Sequence, residues 1–86
     1  MINGSDHPVE WAMLSYEIED AIEHLQTLSK KIVPNGSIAA ADFEIQLGHV
    51  FAHLNRAWNS RNRIGEADDQ QLEAETQFPS DLVPNG

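Results

Sequence analysis

Along the first 64 residues, apolar side chains recur at alternating intervals of three and four. Trp11, Leu14, Ile18, Ala21, Leu25, Leu28 and Ile32 form one such stripe, which Ile22 widens. With 3.6 residues to a turn, that alternation keeps every member on one face of an α-helix. Pro8 marks the start, where a missing N–H costs nothing, and Ser5 and Asp6 stand just ahead as caps. Lys30 and Lys31 complement the negative end of the helix dipole, and Pro34 disfavours helical geometry at the residue before it. The pattern predicts a first helix over residues 8–32.

A second stripe, Ala40, Phe43, Leu47, Val50, Leu54 and Ala57, continued by Arg61 and flanked by Phe51 and Trp58, predicts a helix over residues 38–62 with Ser37 as its cap. Only Val33–Ser37 lies between the two, a connection short enough to force an antiparallel αα-hairpin. Asn35-Gly36 suits the positive φ values of a tight reversal. Hairpin symmetry then sets Trp11 opposite Trp58, Leu14 opposite Leu54, Ile18 opposite Phe51, Ile22 opposite Leu47 and Leu25 opposite Phe43.

The fold class is therefore all-α, and a lone hairpin leaves much of its bulky side chains wet. A core this small barely offsets the entropy of ordering, so two copies are expected to dimerise into a four-helix bundle. A stripe of small and apolar residues on the second helix, Ala41, Ile45, Gly48 and Ala52, matches an off-seam patch of Val9, Met13 and Tyr16 on the first. These seven residues are the expected self-association or partner interface.

Charge divides the chain in two. Residues 65–86 carry six acids and no base, whereas residues 1–64 hold eight acids and all five bases, within a net charge of -9. The division predicts a hairpin domain over 1–64 and an acidic, flexible tail over 65–86, since the tail is too poor in apolar residues to offset its ordering entropy. There is no cysteine, hence no disulfide and no thiolate metal site. No apolar run approaches the roughly 18 residues of a membrane span, and the first thirty residues lack the pattern of a secretory leader, so a soluble cytoplasmic protein is expected. A surface of this sign repels nucleic acid and anionic membranes and speeds association with a basic protein partner.

Two clusters carry the candidate chemistry. Antiparallel helices bring Glu17, Asp20 and His24 to the same flank as His49 and His53. Imidazole and carboxylate donors of that kind suit a first-row metal ion, with the two second-helix histidines on one face at i and i+4. At the end of the second helix, Arg56, Trp58, Asn59, Arg61 and Arg63 concentrate positive charge and hydrogen-bond donors in an otherwise acidic chain. Arg61 and Arg63 are expected to meet Glu10 and Asp6. The cluster, or the acidic tail of another copy docked on it, makes a recognition surface, because Arg and Trp are common interface anchors.

For catalysis the inventory is thin: there is no Gly-rich phosphate loop, no nucleophile elbow and no Ser set beside a His and an acid by a recognised spacing. The function expected is that of a small non-enzymatic interaction or regulatory protein, an adaptor or inhibitor without a cofactor, acting as a homo-oligomeric helical bundle. The alternative is a metal-binding bundle using the histidine flank.

Overall fold

A computed structural model describes residues 1–86 and is all-helical, with α1 (Pro8–Asn35), α2 (Ala40–Asn59) and α3 (Asp69–Thr76) and no strand. α1 and α2 form the antiparallel hairpin, and α3 packs on α2.

Helix α1 runs three residues past its expected end. Pro34 sits in the last turn, and Asn35 stays helical, with its side-chain amide donating to the Lys31 carbonyl at 2.6 Å. Gly36 closes the helix at φ 68, where its N–H reaches the Ile32 carbonyl. Of the expected positive-φ pair, Gly36 alone adopts that geometry, which a residue lacking Cβ takes without steric cost.

At the other end, Asn3 makes the turn that leads into α1. Its Oδ1 accepts the N–H groups of Ser5 and Asp6, so neither of those residues is the cap; His7 holds that position without a side-chain bond. Helix α2 is shorter than expected at both ends. It is capped by Ala39 rather than Ser37, and it closes at Ser60, whose N–H returns to the Arg56 carbonyl while the Arg61 N–H reaches the Trp58 carbonyl.

The seam is made of smaller residues than the stripes implied. Ala21 and Leu28 of α1, Val50 and Ala57 of α2, and Ile2 from the N-terminal segment are the buried apolar residues, joined by the polar Asn55. Ile2 is pinned by its N–H to the Arg61 carbonyl at 2.8 Å. Helical geometry explains what happens to the larger side chains. At about 100° per residue, Ile18, Ile22 and Leu25 fall on one side of the Ala21–Leu28 line, while Glu17 and His24 fall on the other. The hairpin consequently has an apolar flank and a polar one. Ile18, Ile22, Leu25, Phe43, Phe51 and Leu54, all expected in the core, stay exposed over about two-fifths or more of their surface.

The tail expected to be flexible is seated against the hairpin. Asp68 caps α3 by accepting the Gln71 N–H at 2.7 Å, and the Gln71 side chain returns to the Asp68 N–H, a reciprocal capping box. After Thr76 the chain turns extended and passes over the C-terminal half of α2 to the apolar flank, where Phe78 lies against Phe51. The tail's contacts with α2 are ones that its composition alone does not reveal.

Candidate functional site

All five residues singled out at the end of α2 are used, and their partners lie mostly in the tail. Arg56 spans three elements: its Nε donates to both carboxylate oxygens of Glu17 on α1, at 3.1 and 2.8 Å, and its Nη1 reaches the Thr76 hydroxyl at 3.3 Å. Asn59 donates to the Glu75 and Gln77 carbonyls at 2.8 and 2.9 Å. The buried Asn55 makes the equivalent bond to the Thr76 carbonyl at 2.9 Å. These two asparagines, one turn apart on α2, receive backbone carbonyls at the end of α3, where helical partners run out.

The remaining cations take the tail's acids. Arg63 pairs with Glu75 at 2.8 Å, both side chains largely out of water, and also donates to the Gly65 carbonyl. Arg61 pairs with Asp81 at 3.2 Å and lies over the Trp58 ring at 3.8 Å, while the Trp58 indole N–H donates to the same carboxylate. The expected pairing of Arg61 and Arg63 with Glu10 and Asp6 is therefore not formed. Glu10 instead accepts the Gly65 N–H at 3.0 Å, and Asp6 accepts from the Asn3 amide.

Two carboxyls register this network. The Gly65 N–H holds Glu10 below the usual glutamate range, helped by Glu10's own backbone N–H and opposed by desolvation, with lesser help from His7 and Arg63. The Trp58 N–H, and then Arg61, hold Asp81 below the usual aspartate range in the same way. In each case a hydrogen bond to the ionised form favours it.

On the polar flank, helix register brings the three histidines together in a stack. The His24 ring stacks on His49 at 5.4 Å and 11°, and on His53 at 5.2 Å and 23°. Ring faces meet rather than nitrogens converging on a point. Glu17 contacts the His53 Nδ1 at 3.4 Å, but its carboxylate is already committed to Arg56. No group of three or more His, Asp or Glu side chains is placed to hold a metal ion. The expected set of Glu17, Asp20, His24, His49 and His53 thus does not form a coordination sphere in this geometry.

The seven expected interface residues are divided. Val9, Met13, Tyr16 and Ile45 are exposed, as are Ala41 and Gly48. Gly48 and Ala52, however, border a shallow cleft beside Thr76, Gln77 and Phe78, so the small-residue stripe opens toward the chain's own tail. Met13 lies by Leu72 and Glu75 at the edge of α3. The two larger grooves, of about 410 and about 370 Å³, lie on the other flank and share Leu54 and Leu82.

Sequence reasoning missed the contributions of Asn55, Thr76 and Asp81 to the network. One local signal was available: Asp68 followed three residues later by Gln71 is a helix-start signature.

Compared with known proteins, the chain matches no family model, no curated protein and no solved structure. No helix is long and apolar enough to cross a membrane.

Proposed function

We propose that the chain is a small non-enzymatic interaction or regulatory protein that works as a homodimeric helical bundle. The observation that carries this reading is the apolar flank of the hairpin, where Ile22 is 49% and Leu25 44% exposed although both stand at helix-packing positions. Area supports it. A compact 9.6 kDa monomer is expected to expose about 5,100 Å², whereas this chain exposes 6289 Å². The surplus of about 1,200 Å² exceeds the ~800 Å² per partner of a standard stable interface. Two flanks packed together would complete the core that each hairpin lacks.

The partner beyond the second copy is a basic protein surface. Glu66, Asp69 and Glu73 are exposed on the tail and unused by the network that seats it, within a chain of net charge -9. Such a surface speeds encounter with positive patches, more so at low salt. The compartment this reading assigns is the cytoplasm, in keeping with the absence of cysteine.

The test is sedimentation equilibrium of the full chain beside Ile22→Glu, with helix content followed by circular dichroism. A wild-type dimer and a helical, monomeric variant support the reading. A wild-type monomer, or a variant that associates as tightly as wild type, rejects it.

A further inference from the structure

We propose that the C-terminal segment Phe78–Pro84 forms half of the self-association face, so that a second copy seats on hairpin and tail together. This rests on the homodimer reading above and names the surface that the dimer uses.

The shape of the flank points to it. Leu54 of α2 and Leu82 of the tail line both large grooves and so stand between them as a ridge. On one side the groove is walled by Phe51, Phe78 and Pro79, and on the other by Leu14, Ile18 and Trp58. A ridge flanked by grooves can mate with itself under a two-fold operation: the ridge of one copy enters a groove of the other, and the reverse contact follows from symmetry. The tail supplies Leu82 to the ridge and four of the seven residues that line the larger groove.

The segment does not behave as a cover. A cover would bury its apolar side chains against the hairpin, but Phe78, with its ring 5.2 Å from that of Phe51 and tilted by 58°, remains 71% exposed. Leu82 is 46% exposed, and Phe51 and Leu54 beneath the segment stay exposed as well. What holds the segment is polar. Asp81 accepts the Trp58 indole N–H at 2.9 Å and an Arg61 N–H at 3.2 Å, which fixes Leu82 over α2 with its outer surface available. The tail therefore enlarges the apolar face. The surplus area noted above is of the size that one further copy closes.

The test uses the full chain throughout. Leu82→Asp is compared with wild type by sedimentation equilibrium, with circular dichroism as the check on folding. Hydrogen exchange at the Ser80–Val83 amides is measured at concentrations above and below the wild-type dimer midpoint. The expected results are a variant that dimerises about 30-fold or more weakly at unchanged helix content, and wild-type amides that exchange more slowly in the dimer. A variant that dimerises as tightly as wild type, or tail amides that exchange equally fast in monomer and dimer, overturns the inference. If Ile22→Glu dissociates the dimer while Leu82→Asp does not, the homodimer reading stands and the role of the tail falls. A wild-type chain that never dimerises removes the homodimer reading itself.

Discussion

Trp58 and Asp81 stand 23 residues apart in sequence, yet the indole N–H of one donates to the carboxylate of the other at 2.9 Å. This bond joins the C-terminal end of α2 to the last segment of the chain, and it gives tail seating a pH dependence of definite sign. The Trp58 N–H, followed by Arg61, lowers the Asp81 pKa in the folded state. A carboxyl whose folded pKa is lowered contributes stability that is present above its unfolded value and lost as pH falls through the lower folded value. In a Trp11→Phe background, Trp58 emission should stay flat from pH 7 to about 4.5 and change only below the ordinary aspartate value of about 3.9. Asp81→Asn should abolish that transition. A midpoint at or above the ordinary value, or one that persists in Asp81→Asn, would count against the latch.

The hairpin was legible in the sequence because both stripes keep one period for over twenty residues and only a short connection separates them. What the period does not convey is which members of a wide stripe meet. The seam selected Ala21, Leu28, Val50 and Ala57, which allow close helix approach, and left Ile22, Leu25 and Phe51 to a flank. Likewise, the Arg and Asn cluster was visible as a peculiarity, but its partners were not. Ion pairs such as Arg63–Glu75 are set by a turn at Ser60–Arg63 and by the placing of α3, neither of which follows from helical periodicity.

Arg56 is the side chain that ties three helices together. It is partly buried with Glu17 and also reaches Thr76 and, through Nη2, the His53 Nδ1 at 3.0 Å. Arg56→Ala should lower unfolding free energy by about 1–3 kcal/mol, since a half-buried carboxylate loses its charged donor. Arg56→Lys should recover little, because a single ammonium cannot reproduce the planar fork. Urea titration followed by circular dichroism measures both; full recovery by Lys would show that charge alone matters.

Asn55 and Asn59 hold the end of α3 through its carbonyls. Replacing both by Ala should release α3 and the tail while leaving the hairpin helical, at a cost of about 1–2 kcal/mol for each bond to a buried or half-buried group. Limited proteolysis should then cut between residues 64 and 80 well before it cuts α1 or α2. Protection equal to wild type would mean that the Arg63–Glu75 and Asp81 contacts suffice.

Gly36 ends α1 in a left-handed conformation with nothing within 4 Å of where a Cβ would sit. Gly36→Ala therefore isolates backbone strain from crowding, and about 1 kcal/mol of destabilisation is expected by thermal or urea unfolding. No change would indicate that the turn relaxes to another geometry.

The central claim is that the exposed apolar flank is closed by a second copy of the chain. Light scattering in line with size exclusion, at two loading concentrations, reads this directly. The account predicts a mass twice the 9.6 kDa of the chain at the higher concentration, falling toward one chain only on dilution. A single-chain mass at both concentrations, with full helix content, would contradict it.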